Sequence, residues 1–232
     1  MIAGAVKALG RRVGVEISHH RPAGARRAAR LDTYEIQVVT DVGANVGQYA
    51  SELRKFGYEG LIVSFEPLSA AFAELRRRAA SDPLWQCHQV ALGDEDAQRV
   101  INVASSLASS SFLPMRDEHR RAAPEISYTG TERVEVRRLD SYNLAISTPA
   151  MLKLDVQGFE ARVLAGASET LPRISLLECE LSIARLYEGQ PSFGSMIARL
   201  SNLGFEMIDL DPAFHDPRDG RILSVDATFS RF

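Results

Sequence analysis

Residues 41–47 of this chain read Asp41-Val42-Gly43-Ala44-Asn45-Val46-Gly47. An apolar pair, Val38-Val39, precedes this stretch, and a segment with helical periodicity, Tyr49 to Phe56, follows it. The pattern predicts a strand that ends in a carboxylate, a turn that contains glycine, and the start of a helix. Because Gly43 and Gly47 have no side chain, we expect a ligand to reach the backbone N–H groups of this turn.

A second signal lies about twenty residues further along, the interval at which an acid that binds ribose follows a glycine-containing turn. The apolar run Leu61-Ile62-Val63-Ser64-Phe65 ends in Glu66-Pro67. An acidic side chain at this place can accept hydrogen bonds from the hydroxyl groups of a ribose. Together, the two signals predict a Rossmann-like crevice for a cofactor that contains a nucleoside.

The spacing of the glycines disfavours a dinucleotide. The dinucleotide fingerprint is G-x-G-x-x-G, whereas three residues separate Gly43 from Gly47. Asp41 would repel a pyrophosphate at the start of the turn, but it suits a cationic ligand. S-adenosylmethionine carries a sulfonium and an ammonium group, so we prefer an S-adenosylmethionine-dependent methyltransferase to a nucleotide oxidoreductase.

Composition places the chain among ordinary globular proteins. Its 232 residues suffice for one sizeable α/β domain, and 45% of them are hydrophobic and 25% charged. The formal net charge of -3 disfavours extensive binding to nucleic acid. No apolar run approaches the roughly 20 residues that cross a bilayer, so we expect a cytoplasmic protein, and we take a homodimer as the prior expectation.

The N-terminal region is basic. We expect residues 1–35 to form a helical arm and residues 36–232 to form the single domain. The cations of the arm are Lys7, Arg11, Arg12, Arg21, Arg26, Arg27 and Arg30, against the single acid Glu16 within residues 1–30. Two interpretations stand, namely a solvated amphipathic helix that leads into the core, or an arm that contacts an anionic partner such as a membrane surface.

Strand and helix signals alternate along the domain. Strands are predicted at residues 37–42, 61–65, 85–91, 98–104, 149–156, 174–180, 206–210 and 222–229, and helices at 46–56, 69–80, 158–167 and 193–203. This order predicts an α/β fold with a mainly parallel sheet and helices on both faces. With the inferred cofactor, we expect a Rossmann-like class I methyltransferase fold, whose seven-stranded sheet ends in an antiparallel strand.

One segment interrupts this alternation. Residues 105–131 begin with a serine-rich run and continue through a charged stretch that contains His119. A long irregular insertion in a compact domain is usually functional or disordered. We therefore interpret residues 105–131 as a lid that covers the substrate.

Several blocks, in order, resemble those of FkbM-family methyltransferases. These blocks are residues 41–47, 65–67, 90–94 with 110–112, 136–140, and 152–160 with 163–167, so that the resemblance covers roughly residues 36 to 230. The resemblance implies S-adenosylmethionine-dependent methylation of a hydroxyl group, often on a sugar of a glycolipid, polysaccharide or glycosylated natural product. This chain departs from the family at Gln157, where members commonly carry Glu.

The resemblance also implies roles for the matched residues. Gly43 and its neighbours would hold the methionine part of the cofactor, with Asp41 near its ammonium group, and Glu66 would bind the ribose. Residues 91–94 would border the adenine. The full set expected to bind the cofactor is Asp41, Gly43, Ala44, Asn45, Gly47, Glu66, Pro67, Ala91, Leu92, Gly93, Asp94 and Asp155.

Removal of the acceptor proton needs a base or a metal, because a hydroxyl is weakly acidic. Asp155 follows the fourth parallel strand, and Glu178 and Glu180 share one face of the fifth. In one mechanism, His119 is the general base and Asp155 orients the hydroxyl or the base. In the other, Asp155 with Glu178 or Glu180 holds Mg²⁺, which prefers oxygen ligands.

Lys153 and two rival functions complete the sequence-based picture. Lys153 lies two residues before Asp155 on the same strand, so it is expected either to pair with Asp155 or to contact the acceptor. One rival is methylation of a small non-sugar metabolite. The other is a protein that keeps the fold and the nucleoside but performs no catalysis.

Overall fold

The computed structural model describes residues 14, 22–142 and 149–231. The predictions made for Lys7, Arg11, Arg12 and Arg21 lie outside these residues. The described residues form ten strands: β1 Val38–Val42, β2 Leu61–Phe65, β3 Trp85–His88, β4 Ala91–Leu92, β5 Ala97–Ala104, β6 Tyr128–Arg137, β7 Ala150–Leu154, β8 Ile174–Ser182, β9 Glu206–His215 and β10 Ile222–Ser230. They also form six α-helices: α1 Ala23–Thr33, α2 Gln48–Lys55, α3 Ser69–Ala79, α4 Asp117–Ala122, α5 Glu160–Ala165 and α6 Phe193–Asn202.

Seven strands form the main sheet, in the order β3-β2-β1-β7-β8-β10-β9. The pairs from β3 to β8 are parallel, whereas β10 is antiparallel to both of its neighbours. This arrangement confirms the expected mainly parallel sheet with an antiparallel last strand. The carboxyl ends of β1, β2 and β7 therefore meet at one edge, where ligands bind in open α/β sheets.

Alternation along β1 divides the core into two layers. Val38 and Val42 pack in a cluster with α5 and α6, whereas Val39 packs on the opposite face with residues of α2 and α3. Successive side chains of a strand point to opposite faces, so Asp41 shares the face of Val39. Burial of apolar side chains on both faces is typical of a parallel sheet covered by helices.

A second, small sheet has the order β4-β6-β5. Strands β5 and β6 are antiparallel, and β6 begins at Tyr128, inside the segment expected to be an irregular lid. A short 3-10 helix at Leu107–Ser109 and helix α4 account for more of this segment. Residues 105–131 are therefore more ordered than the sequence predicts.

Helix α1 lies against the far part of the main sheet through arginine side chains. Arg30 donates to Thr228 Oγ1 at 2.9 Å and also pairs with Asp209, and Arg26 pairs with Asp211. These cations of the basic arm are thus engaged by acids and a hydroxyl of β9 and β10. No helix within residues 22–142 and 149–231 is long and apolar enough to cross a membrane.

Candidate active site

The turn after β1 is shaped by three residues with a left-handed backbone. Gly43, Asn45 and Gly47 have φ values of 77°, 48° and 83°. A Cβ atom on Gly43 would lie 1.8 Å from the backbone oxygen of Asp155, so only glycine allows the loop after β7 to approach this closely. The N–H groups of Gly43 and Ala44 each donate to the carbonyl of Phe65 at 3.0 Å. The sequence suggested that these groups would be free to bind a ligand, and the structure shows that they are not.

Glu66 is fixed at the end of β2 by two backbone donors. Its Oε1 accepts from the N–H of Leu68 and its Oε2 from the N–H of Asn45, both at 2.8 Å. Burial raises the pKa of Glu66 to about 7, although the two N–H groups oppose this shift. Each carboxylate oxygen keeps a lone pair with which to accept a further hydrogen bond from a ligand.

A cavity opens beside this turn, with about 620 Å³ of empty space including its mouth. It is lined by Gly43, Asn45, Glu66, Pro67, Ala91, Leu92 and Asp155 of the expected set. Its remaining walls are mostly apolar and are formed by Val42, Phe65, Leu68, Val90, Ile101, Leu107, Ala108, Phe112, Val156 and Phe159, with Gln48, Ser110 and Gln157. We call this space the cofactor cavity. Leu107, Ala108 and Phe112 belong to the insertion after β5, so part of this insertion lines the cofactor cavity.

Five residues of the expected set do not line the cofactor cavity: Asp41, Ala44, Gly47, Gly93 and Asp94. Asp41 is fully buried and pairs with Lys153 at 3.1 Å, and Asp94 pairs with Arg162 at 2.5 Å. A Cβ on Gly47 would meet Leu75 at 2.8 Å, so this glycine serves the packing of the helices.

A second, polar cavity adjoins the first and shares Gln48 and Asp155 with it. It is lined by Arg27, Gln48, Tyr49, Glu52, Lys153, Leu154, Asp155, Glu178, Glu180 and Asp226. We call it the acidic cavity, because five carboxylates face two cations there. Sheet register produces this convergence, since Lys153 lies beside Glu178 and Asp226 lies beside Glu180.

Lys153 connects the two strands that border the site. Its Nζ lies 3.1 Å from Asp41 and 3.7 Å from Asp155, and it donates to the carbonyl of Gly43 at 3.2 Å. Burial disfavours the charge of Lys153, but the carboxylates of Asp41 and Asp155 outweigh burial and raise its pKa above the usual value. Lys153 therefore pairs with Asp155, which is one of the two arrangements expected from the sequence.

Glu178 is held by a residue of helix α1. Arg27 contacts Glu178 through Nη2 at 2.9 Å and Nε at 3.1 Å, and it also reaches Asp226 at 2.9 Å. Tyr49 donates to Glu178 at 3.5 Å from the other side. Burial raises the pKa of Glu178, although the Arg27 guanidinium opposes this shift.

Asp155 and Glu180 are bridged by the side-chain amide of Gln157. Its Nε2 donates to Asp155 Oδ1 at 2.8 Å and to Glu180 Oε2 at 2.6 Å. The second oxygen of Glu180 accepts from Ser224 Oγ at 2.7 Å. Burial, and then the nearby Asp155 carboxylate, raise the pKa of Glu180 well above its usual value.

His119 lies outside both cavities. Only 4% of its surface is exposed, and its ring packs 5.5 Å from that of Tyr187 and 5.7 Å from that of Phe214. Burial lowers the pKa of His119. The structure therefore does not bring His119 together with Asp155, and contact with an acceptor in the acidic cavity is not available to it.

The three predicted metal ligands are also committed to other partners. Among residues 22–142 and 149–231, no group of three or more His, Cys, Asp or Glu side chains is placed to hold a metal ion. The oxygens of Glu178 face Arg27, and an amide nitrogen stands between Asp155 and Glu180. This donor set does not fit Mg²⁺, which needs converging oxygen atoms.

The sequence did not predict that Arg27 and Asp226 line the acidic cavity, nor that aromatic side chains line the cofactor cavity. The sequence allows the arginines of the N-terminal arm either a solvated helix or an external partner, although Asp209 and Asp211 alternate at the end of one predicted strand segment and Asp226 lies in the next. That alternation was the available signal, because it places carboxylates on faces that a nearby basic helix can cover.

The fold is the one that S-adenosylmethionine-dependent methyltransferases share. The chain aligns with a protein of this class from Listeria monocytogenes at a TM-score of 0.51 and 10% identity, covering 91% of this chain and 100% of that one. An rRNA methylase from Streptococcus thermophilus aligns at a TM-score of 0.50 and 10% identity, covering 93% and 99%. These similarities concern the fold alone.

The model of the Methyltransferase FkbM domain matches residues 41–207. This chain belongs to the FkbM family of methyltransferases, which confirms the resemblance seen in its sequence. It is 25% identical over 179 residues to 2-O-methyltransferase NoeI of Sinorhizobium fredii (strain NBRC 101917 / NGR234), covering 74% of this chain and 73% of that protein. It is 29% identical over 203 residues to 31-O-demethyl-FK506 methyltransferase FkbM of Streptomyces tacrolimicus, covering 76% of each.

Proposed function

We propose that this protein is an S-adenosylmethionine-dependent O-methyltransferase. Its acceptor would be a sugar hydroxyl of a glycolipid, a polysaccharide or a glycosylated natural product. The observation that carries the proposal is the position of Asp155, which lines both the cofactor cavity and the acidic cavity. A carboxylate at this junction can contact an acceptor where the acceptor meets the methyl donor.

The residues of the cofactor cavity fit S-adenosylmethionine. Glu66 is buried with lone pairs free to accept from ribose hydroxyls, and the buried Oδ1 of Asn45 has no hydrogen-bond partner among the residues that the structure describes. Apolar side chains such as Val90 and Leu92 suit an adenine ring. When bound, the cofactor supplies a methyl group activated by the positive charge of its sulfonium.

The acidic cavity suits an acceptor rich in hydroxyl groups. Asp155 is partly exposed, with 38% of its side chain accessible, and is held by Lys153 and Gln157. Its carboxylate can accept the acceptor proton as the hydroxyl oxygen attacks, which is general-base catalysis. The names of both curated relatives describe transfer to oxygen, which supports a hydroxyl acceptor.

The substitution Asp155→Asn tests this role, with activity measured by transfer of labelled methyl groups to a panel of glycosides. We expect turnover to fall by about 10²–10⁴-fold, the usual contribution of a general base, while calorimetry shows little change in affinity for S-adenosylmethionine. Asp219→Asn is the matched control, because Asp219 is exposed and lines neither cavity. Full turnover by Asp155→Asn would refute the role of Asp155 as the base.

A second candidate is methylation of a hydroxyl on a non-sugar natural product. The similarity to a methyltransferase whose name specifies FK506 favours it. The same assay separates the candidates if the panel includes polyhydroxylated compounds without a sugar ring. Binding of S-adenosylmethionine without product from any acceptor would instead support a protein that keeps the fold but performs no catalysis.

A further inference from the structure

Gln157 has an unusual backbone conformation beside Asp155 and Glu180, two residues that line the acidic cavity. Its φ of 53° lies in the left-handed region, and Gly158 follows with a φ of 96°. Non-glycine residues with positive φ are uncommon and persist where the surroundings fix them. The carbonyl of Gln157 accepts from Ser111 Oγ at 2.7 Å, so the insertion after β5 secures this conformation.

Tyr187 determines which way the amide of Gln157 faces. Only 1% of Tyr187 is exposed, and its hydroxyl lies 2.7 Å from Gln157 Oε1 and 3.2 Å from the carbonyl oxygen of Ser109. The single hydroxyl hydrogen is donated across the shorter contact, to Gln157 Oε1. The Nε2 atom is therefore directed at Asp155 and Glu180. The reversed amide would place its carbonyl oxygen against the Asp155 carboxylate, which electrostatic repulsion disfavours.

The amide performs the task that a bridging cation performs at paired carboxylates. Its two N–H hydrogens supply one hydrogen bond to Asp155 and one to Glu180. These bonds hold two like groups side by side and set the direction of Asp155. A cation between the same oxygens would have to displace both hydrogen bonds and face an N–H donor, which repels it.

We propose that the Gln157 amide replaces a bridging cation between Asp155 and Glu180 and positions Asp155 for its work on the acceptor, so that methyl transfer by this chain needs no divalent metal. The positioning part of this inference rests on the proposed role of Asp155. The replacement of a cation does not, because it concerns the donor set alone. Gln157 is thus a positioning residue, since it acts through Asp155.

The substitution Gln157→Glu tests the replacement directly. It places a third carboxylate beside Asp155 and Glu180 without changing the shape of the side chain. By calorimetry without acceptor, we expect the variant to bind Mg²⁺ at millimolar or lower concentration and the unsubstituted protein to show no such binding. In activity assays, EDTA should leave the turnover of the unsubstituted protein unchanged. The turnover of Gln157→Glu should fall at least tenfold in EDTA and recover when Mg²⁺ is added.

Two further variants separate positioning from folding. Gln157→Leu removes the amide without adding a charge, so turnover should fall at least tenfold without rescue by Mg²⁺. Because Gln157 also lines the cofactor cavity, affinity for S-adenosylmethionine is measured in parallel and should change much less than turnover. Gln89→Glu adds the same charge at an exposed position outside both cavities and should resemble the unsubstituted protein.

Two results would overturn the proposal. One is loss of activity of the unsubstituted protein in EDTA with recovery in Mg²⁺, and the other is a Gln157→Glu variant that binds no Mg²⁺ and keeps full turnover. If no acceptor is methylated at all, the proposed function fails, but the comparison of Mg²⁺ binding still decides whether the amide takes the place of a cation.

Discussion

Glu66 shows how one side chain couples burial to cofactor binding. The residue is 5% exposed, and burial raises the pKa of its carboxyl group to about 7. Ribose hydroxyls donate to the ionised form more strongly than to the protonated form. Deprotonation therefore favours the cofactor, and this effect is present above pH 7 and lost as the pH falls through that value.

We expect the affinity for S-adenosylmethionine to be about tenfold weaker at pH 6 than at pH 8, because a carboxyl with a pKa about 7 is roughly one-tenth ionised at the lower pH. Calorimetric titration at both pH values measures this change. Glu66→Gln is the control, because it removes the titrating group while other groups, including the cofactor amine, still titrate. An equal pH dependence in Glu66→Gln would assign the effect to another group.

The positions of residues near the turn could be predicted where their spacing along the sequence alone determines the geometry. Gly43 and Glu66 follow the ends of adjacent parallel strands, so their places at one edge follow from the sequence. Asp41 was assigned to the cofactor, yet it is fully buried against Lys153. Its position on the strand fixes a face of the sheet but not the partner on the neighbouring strand, and that partner depends on register.

Helix α1 lies outside the matched family domain but supplies a wall of the acidic cavity. Arg27 and Glu178 are both nearly enclosed, with 14% and 5% of their side chains exposed. Removal of one member of a buried ion pair leaves the other charge without compensation in a poorly solvated place. The stability of the helix and the shape of the cavity therefore depend on the same contact.

We expect Arg27→Met to lower the free energy of unfolding at pH 7 by about 3 kcal/mol, because it leaves Glu178 buried without its guanidinium. Urea denaturation measures this loss. The double variant Arg27→Met with Glu178→Gln should recover part of it. Arg77→Met is the control, since the Arg77 side chain is 72% exposed in a helical pair with Glu74, and its loss should lower stability far less than the loss of Arg27. If Arg27→Met and Arg77→Met lowered the free energy of unfolding by similar amounts, the result would contradict a buried pair of Arg27 and Glu178.

At the scale of elements, the strands of the main sheet were predictable and those of the small sheet only in part. Strands β1, β2, β7 and β8 are short apolar runs buried on both faces, and turn residues separate them. Strand β6 is mostly polar, and its apolar alternation is confined to its last four residues, where Val134 and Val136 are buried. Its pairing with β5 is a tertiary fact that local pattern does not contain.

At the scale of the whole molecule, the sheet places two cavities of opposite character against each other. Alternating strands and helices predict a crevice at the carboxyl ends of the parallel strands. They do not predict that β10, inserted between β8 and β9, brings Asp226 beside Glu180. The acidic cavity depends on this insertion, because it brings Asp226 of β10 beside Glu178 and Glu180 of β8.

The charge of the acidic cavity predicts a preference among acceptors. Its five carboxylates and two cations leave an excess of negative charge, even with Glu180 protonated. An additional negative charge about 8 Å from one uncompensated carboxylate costs about 2 kcal/mol at an effective dielectric constant of about 20. A neutral glycoside should therefore show a kcat/KM about thirtyfold above that of the corresponding uronic acid, measured at low ionic strength.

Two further measurements establish whether electrostatics causes that preference. Raising the salt concentration to about 0.5 M should reduce the ratio of kcat/KM between the neutral glycoside and the uronic acid, because dissolved ions screen charges at a solvent-open site. An amino sugar of the same shape should be accepted at least as well as the neutral glycoside, since its charge has the opposite sign. Equal or faster methylation of the uronic acid would show that Arg27 and Lys153, rather than the carboxylates, determine which acceptors bind.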